Sequence, residues 1–156
     1  MLSSLWLSPW RCGVTTVARK PKTLPKLTDE CAVLLQKIVR MKQAIYLKSP
    51  YIACVTCGKV DHWKNQQGGH FISRTWTATK ILEENIHPQC ISCNGFRPER
   101  IADDYFRFMV DTYGYEFVEE MIDAKRQPIK RTRAELTDTL ARLKEQAKRL
   151  EQEVPV

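Results

Sequence analysis

The sequence predicts an α+β protein in which a small zinc-stabilised core is flanked by N- and C-terminal helices. Two short cysteine pairs, Cys54 with Cys57 and Cys90 with Cys93, predict the core. Two such turns complete the tetrahedral sulfur shell that zinc prefers. Apolar residues at helical spacing on either side predict the flanking helices. No apolar run approaches membrane-spanning length, so the composition excludes an integral membrane protein and favours a soluble one.

The cysteine pairs have a simple competing interpretation, namely two unrelated pairs of buried or disulfide-bonded cysteines. Gly58 directly follows the first pair, where a metal-binding turn commonly needs a residue that tolerates positive φ. Cys12 and Cys31 have no such neighbour and are predicted to be free thiols. This cysteine usage is typical of a reduced, intracellular protein.

The formal net charge of +7 is unevenly distributed along the 156 residues. Residues 1–28 contain five Lys or Arg and no acid, whereas residues 101–156 contain twelve acids and ten bases. The basic surplus therefore lies in the N-terminal arm and the metal core. Such a surplus points to a polyanionic partner.

The first segment, residues 1–27, has no consistent apolar period and is predicted to be a basic, disordered arm. Its acid-free composition, with Ser, Thr and Arg, is also typical of an organellar transit peptide. A start codon placed too far upstream would explain the same composition. These interpretations stay open on the sequence alone.

An N-terminal helix is predicted over residues 28–48. Thr28 can cap it, and Asp29 and Glu30 would lie favourably against the helix dipole. Its apolar stripe consists of Leu34, Ile38, Met41 and Ile45. Pro50 favours an end to the helix just before it.

Three short strands are predicted in the core, at residues 51–55, 69–74 and 80–82. The second and third would pair as a hairpin that presents His70.

The C-terminal part is predicted to be helical. A first helix would run through residues 101–112 and end at Gly114, and a second would cover residues 116–125. Thr132 and Glu135 have the spacing of a capping box, so a third helix is predicted over residues 132–153. Its apolar seam consists of Leu136, Leu140, Leu143, Ala147 and Leu150. This seam would either join two copies as a homodimer or fold back onto the N-terminal helix.

Four polar side chains stand close to the cysteine pairs. His70 follows two glycines, Asn85 and His87 precede the second pair, and Asn94 follows it. A neutral imidazole can accept a proton from water. A rigid metal scaffold is what preorganised catalysis requires. His62, by contrast, is predicted to be a surface or packing residue.

This combination resembles a known family. A Cys-x-x-Cys pair, then Gly-His-Phe with Ser-Arg, then Asn-Ile-His-x-Gln-Cys-x-x-Cys-Asn is similar to the NinG/Rap recombination endonucleases of lambdoid bacteriophages. These belong with the HNH, or His-Me finger, nucleases. The resemblance covers roughly residues 50–125 and implies a zinc-stabilised ββα-metal core of the treble-clef, HNH-like type. It also implies a metal-dependent, structure-selective DNA endonuclease that hydrolyses branched recombination intermediates such as Holliday junctions, in the cytoplasm of an infected bacterial cell.

The resemblance also implies roles for the four polar residues. His70 would be the general base that activates water, and Asn85 would orient it. Asn94 would help to hold a catalytic Mg²⁺, whereas the zinc bound by the four cysteines would be structural. Many HNH enzymes have a further metal ligand directly before the general base, and this chain has Gly69 there.

A substitute for that missing ligand is expected among three side chains. These are His87, Asp61 and Glu83, of which His87 is favoured as both ligand and catalytic residue.

DNA contacts are expected from basic residues near the proposed site, with Trp76 interleaved among them. They are Arg74, Lys80, Arg97 and Arg100. No base-reading motif is present, which favours recognition of DNA structure over sequence. Two other functions remain open: a non-catalytic, zinc-stabilised nucleic-acid-binding module, and a redox-responsive interaction protein that loses zinc on oxidation.

Overall fold

The computed structural model describes residues 21–95 and 99–156. Within them, helices and very short strands form a mixed α+β fold. The elements are α1 (Leu24–Leu47), β1 (Tyr51–Ala53), β2 (Val60–His62), β3 (Gln67–His70), β4 (Ile86–Gln89), α2 (Ile91–Gly95), α3 (Glu99–Tyr113), α4 (Tyr115–Ala124) and α5 (Arg133–Glu153). Most of the predicted arm over residues 1–27 lies outside the described residues.

Helices α1 and α5 pack together and supply most of the main core. The α5 side of this contact consists of Leu136, Leu140, Leu143 and Ala147, all buried. The α1 side includes Leu27, Cys31, Leu35, Ile38 and Met41. Of the two packings open for the C-terminal seam, the structure has the fold-back. The seam is therefore filled within one chain, and a homodimer stays a prediction.

Helix α1 begins four residues before the predicted start at residue 28. Thr23 caps it, with its Oγ1 accepting a 3.4 Å hydrogen bond from the Lys26 backbone, and Pro25 lies in the first turn. Thr28 lies within the helix, and its hydroxyl donates to the Leu24 carbonyl at 3.0 Å. The predicted cap was wrong because Thr23 offers the same chemistry one turn earlier, next to a proline suited to the first turn.

The capping box of the C-terminal helix is confirmed. The Glu135 carboxylate accepts from the Thr132 backbone N–H at 2.7 Å, and the Thr132 hydroxyl accepts from the Glu135 N–H at 3.3 Å. Gly114, at φ 86°, separates α3 from α4 as predicted.

The four strands form two antiparallel pairs, called hairpins below. Strand β1 pairs with β2, and β3 pairs with β4 in a register that places Gly69 opposite His87 and His70 opposite Ile86. The predicted strand at residues 80–82 is wrong, because this segment forms turns. The predicted strand at 69–74 ends early, at His70, and the true partner of β3 comes from residues 86–89.

The β3–β4 hairpin lies directly against α1. A Cβ atom at Gly68 would come 2.7 Å from the Gln36 Cα. Because that neighbour is backbone, only glycine allows the strand to approach the helix this closely.

A second core lies beneath the hairpin and is built mainly by α3 and α4. Its buried residues are Ile72, Tyr105, Met109, Val118 and Met121. Among the described residues, no helix is both long and apolar enough to cross a bilayer.

Replacing Leu136 by alanine should lower the free energy of unfolding by about 2–5 kcal/mol, because a fully buried leucine would leave a cavity between α1 and α5. Denaturant titration measures this. Glu145→Ala, at an exposed position of the same helix, should change it by less than about 0.5 kcal/mol. Equal stability of the two variants would contradict the packing described.

Candidate metal centre and neighbouring cavity

Four cysteine sulfurs converge at one point of the core. The Sγ atoms of Cys54, Cys57, Cys90 and Cys93 all lie within 4.8 Å of one another. Cys57 and Cys90 are 3.7 Å apart, Sγ to Sγ. A tetrahedral zinc site with Zn–S bonds of about 2.3 Å places its sulfurs about 3.8 Å apart. The four cysteines are not disulfide-bonded, so the cluster can hold a structural metal such as zinc.

The electrostatics of the cluster also favour a cation. Burial opposes ionisation of Cys54, but backbone N–H groups, including those of Cys57 and Cys90, overcome it and lower the pKa of this thiol to about 7. The pKa of Cys93 is raised by burial and by the neighbouring sulfurs. Four crowded thiols compete for negative charge, and a bound divalent cation removes that conflict.

The turn of the first cysteine pair is followed by Gly58 at φ 73°, as the sequence predicts. Its N–H donates to the Cys54 carbonyl at 2.9 Å, and Lys59 accepts from the Cys54 N–H through its carbonyl, also at 2.9 Å. The second pair lies at the junction of β4 and α2. A hydrogen bond from the Val55 N–H to the Pro88 carbonyl, 2.9 Å long, joins the two halves of the cluster.

His70 ends strand β3 and is almost fully buried, at 4 % exposure. Its Nε2 lies 3.0 Å from the Lys80 carbonyl oxygen. Because a carbonyl only accepts, Nε2 carries a proton, so a neutral His70 ring has its lone pair on Nδ1.

Asn85 fixes the segment that follows His70. Its side chain accepts from the Ile72 N–H at 2.7 Å and donates to the carbonyls of Ile72 and Thr79, each at 3.0 Å. The side chain is fully buried, and all three hydrogen bonds have ordinary lengths. Asn85 therefore holds the loop that supplies the carbonyl partner of His70.

His70 and Asn94 line the same open cavity, of about 1070 Å³. The Asn94 amide donates to the Gln67 side chain at 2.5 Å. Cys90 lines the same cavity, so the cysteine cluster borders it. The cavity is strongly basic, and its cationic residues are Arg40, Lys59, Lys64 and Arg74.

Arg40 serves the structure of this cavity. Its guanidinium donates to the carbonyls of Gln36, Trp63 and Gln66 at 2.9, 3.2 and 2.6 Å. Burial lowers the pKa of this guanidinium. Lys59, Lys64 and Arg74 are the cations left for an anionic ligand.

His87 is not among the residues that line this cavity; it lies under the opposite face of the hairpin. Its Nδ1 is 3.1 Å from the Tyr105 hydroxyl and its Nε2 is 3.0 Å from the Tyr113 hydroxyl. Tyr105 donates its proton to the Gly69 carbonyl at 2.9 Å, so Nδ1 of His87 donates and Nε2 accepts. Burial lowers the pKa of His87 to about 4. Through Tyr105, this histidine thus supports strand β3, which carries His70, on the face away from the cavity.

The place of the expected metal ligand at Gly69 is taken by another side chain. A Cβ atom at residue 69 would lie 1.9 Å from the Gln89 Oε1. Gln89 is itself fully buried and donates to the Thr56 hydroxyl at 2.6 Å. Glycine is therefore required at this position as long as Gln89 keeps its place.

Two other substitutes for that ligand differ in position. Asp61 lines the cavity and is the one acidic residue among its described lining residues. Hydrogen bonds from the Asn65 side chain and the His62 backbone, 2.9 and 2.7 Å long, lower the pKa of its carboxyl. Glu83 is ion-paired with Lys42 and is not part of the cavity lining.

The predicted DNA contacts fall into three groups. Arg74 lines the cavity. Lys80 is paired with Asp29 of α1 at 2.5 Å, and its ammonium is not part of the cavity lining. Arg97 and the side chain of Arg100 lie outside the part of the chain that the structure describes.

The family model of the bacteriophage lambda NinG protein matches residues 15–153, nearly the whole chain. The chain belongs to the bacteriophage lambda NinG protein family. No curated protein and no solved structure matches it. The NinG part of the predicted resemblance is confirmed, and the Rap and HNH nuclease assignment stays a prediction.

Several residues important to this NinG family member's site were missed in the sequence. Lys59 and Lys64 flank strand β2 and reach the cavity because β1 and β2 fold over it, which no local pattern shows. Tyr105 was recognised only as part of a helical face. Its hydroxyl contact with Gly69 depends on how α3 packs under the hairpin.

The four-cysteine cluster predicts one zinc ion per chain. Cys90→Ser should lose the metal and lower the melting temperature, because the remaining thiols no longer close the tetrahedral shell. Metal analysis and thermal unfolding measure both effects. Cys31→Ala, at a buried thiol outside the cluster, should keep one zinc per chain. Retention of zinc by Cys90→Ser would contradict the assignment.

His87 should make stability depend on pH. Its pKa is about 4 in the folded chain, below the usual value of 6.5, so the unfolded state takes up a proton first as the pH falls. The stabilisation is complete above pH 6.5 and is lost as the pH falls toward 4, by roughly 3 kcal/mol in all.

Unfolding of the wild type and of His87→Gln at a series of pH values tests this. The difference between the two isolates the histidine, because protonation of the metal-binding thiols is common to both. The difference should shrink between pH 6.5 and 4; a flat difference would exclude a buried neutral His87.

Proposed function

We propose that this protein is a metal-dependent, structure-selective DNA endonuclease that hydrolyses phosphodiesters in branched recombination intermediates such as Holliday junctions. One observation carries the proposal: a buried imidazole, that of His70, and the Asn94 amide share a basic cavity walled by the cysteine cluster. The order of elements supports it as well, since β3, β4 and α2 follow one another as a ββα-metal core requires. In a phage-infected cell, such an enzyme would act on replicating and recombining DNA.

His70 would take the proton from the attacking water. Its Nε2–H donates to the Lys80 carbonyl, which directs the basic Nδ1 lone pair and disfavours the other tautomer. As the ring becomes cationic, the same carbonyl dipole would stabilise the charge. General base catalysis of this kind contributes about 10²–10⁴-fold to rate.

Asn85 would act on the rate through His70 alone. Its three hydrogen bonds to the loop backbone keep the Lys80 carbonyl in place under the imidazole. The ring is thus oriented before substrate binds, so little reorganisation is needed during the reaction.

The cavity offers the oxygen donors that Mg²⁺ prefers. Asn94 supplies an amide oxygen and Asp61 an ionised carboxylate. We place the catalytic metal between them and assign Asp61 the role first expected of His87. When bound there, Mg²⁺ supplies a positive charge that stabilises the oxygen leaving the scissile phosphate.

Phosphate contacts would come from the cations of the cavity. Lys59, Lys64 and Arg74 line it without being committed to buried carbonyls as Arg40 is. Their charges are not arranged along a helix that could enter a groove. This favours contacts to the DNA backbone, which carry no base sequence information.

A non-catalytic nucleic-acid-binding module is the second candidate. Gln89 fills the space of the metal ligand that many HNH enzymes have before the general base. If the donors around Asn94 bind no metal, the same basic cavity would bind DNA without cutting it.

His70→Ala should lower the rate of junction cleavage in Mg²⁺ by about 10²–10⁴-fold, with zinc content and DNA affinity retained. Cleavage of a labelled four-way junction under single-turnover conditions measures the rate. His62→Ala is the matched control, since His62 lies on β2 outside the cavity lining and should cut at the wild-type rate.

The wild type should be incubated with the four-way junction and with linear duplex, each with Mg²⁺ and without it, at unchanged zinc content. Cutting of the junction when Mg²⁺ is present, and not when it is absent, supports the nuclease. Tight binding that ignores Mg²⁺, with DNA left intact, would select the second candidate.

A further inference from the structure

Trp76 is an exposed aromatic residue that follows shortly after Arg74, a residue of the cavity lining. Its side chain is 42 % exposed, whereas Trp63, the other described tryptophan, is buried. The backbone N–H of Trp76 donates to the Ser73 carbonyl at 3.0 Å, which closes a tight turn. Ser73 and Arg74, in that turn, line the cavity with His70. A single tight turn therefore joins Trp76 to residues that line the cavity.

The loop that carries Trp76 is held firmly in place. Arg131 donates to the carbonyls of Thr77 and Ala78, at 2.7 and 3.1 Å. Asn85 holds the next carbonyl, that of Thr79, at 3.0 Å. An exposed indole on so well-anchored a loop loses little conformational entropy when it binds a ligand.

The surroundings of the indole are cationic. The Lys125 Nζ lies 5.9 Å from the ring centroid, and Arg74 stands two residues away on the cavity side. An aromatic surface beside positive charge fits a nucleobase attached to a phosphate backbone. Protein surfaces that bind single-stranded nucleic acid combine the same two features.

We propose that Trp76 stacks on an unpaired DNA base beside the scissile phosphate and thereby makes the protein prefer branched or locally unpaired DNA to duplex. This inference rests on the proposed nuclease function and adds the means of selecting the substrate. Bases within duplex are already stacked on their neighbours, so the indole has no free base face to bind there. Branch points and single-stranded flaps expose such faces.

Two measurements on three variants test the inference. The variants are Trp76→Ala, Trp76→Phe and Tyr46→Ala, the last being an equally simple change at an exposed aromatic on α1 outside the cavity lining. Binding is measured without Mg²⁺, with a forked DNA that carries 2-aminopurine at its unpaired position and with linear duplex. Cleavage of both DNAs is then measured in Mg²⁺, after zinc content and melting temperature have shown each variant to be folded.

Trp76→Ala should weaken binding of the forked DNA about tenfold, which corresponds to about 1.4 kcal/mol, and binding of duplex less than about twofold. In the same variant, the change in 2-aminopurine fluorescence on binding should disappear. The ratio of the cleavage rate of forked DNA to that of duplex should fall by a similar factor. Trp76→Phe should retain most of the preference and Tyr46→Ala all of it. An equal loss on both DNAs, or an unchanged ratio and fluorescence signal, would overturn the inference.

The two proposals fail in different ways. A wild type that cuts no DNA in Mg²⁺ refutes the nuclease, yet the binding measurement without Mg²⁺ still decides the role of Trp76. A wild type that cuts, together with a Trp76→Ala variant of unchanged preference, refutes only the stacking role.

Discussion

The convergence of four cysteine sulfurs is the constraint on which the rest of the core depends. The strands β1 to β4 are three or four residues long, too short to be stable by pairing alone. The cysteines join the turn after β1 to the junction of β4 and α2. A bound metal would thus hold together two hairpins that bury few apolar side chains of their own.

The β3–β4 hairpin separates two different chemical environments. On one side, His70 and Asn94 line the same open, basic cavity. On the other, His87 is enclosed by Tyr105, Tyr113 and Phe108, where burial keeps it neutral. Two histidines close together in sequence therefore differ in kind. His70 lines the cavity, whereas His87 is a buried hydrogen-bonding support on the other side of the strands.

Local chemistry in the sequence predicted much of this, and long-range packing decided the remainder. The cysteine pairs, Gly58 and the Thr132 capping box were predictable because each depends on neighbours only a few residues away. The partner strand of β3 was not predictable from the sequence. Asn85 bonds to the loop after β3, and these contacts bring residues 86–89 alongside that strand. The strand register puts His87 on the face of the β3–β4 hairpin opposite to His70. The sequence of β4 alone does not reveal this register.

A crystal of the protein with an uncleavable branched DNA and Mn²⁺, which accepts the same oxygen ligands as Mg²⁺, would test the central claim most directly. Anomalous scattering would distinguish the two metals. Zinc should lie between the four sulfurs, and manganese should lie in the cavity, bound by Asn94 and Asp61 with the scissile phosphate next to His70. Manganese elsewhere, or DNA on the opposite face of the hairpin, would contradict the account.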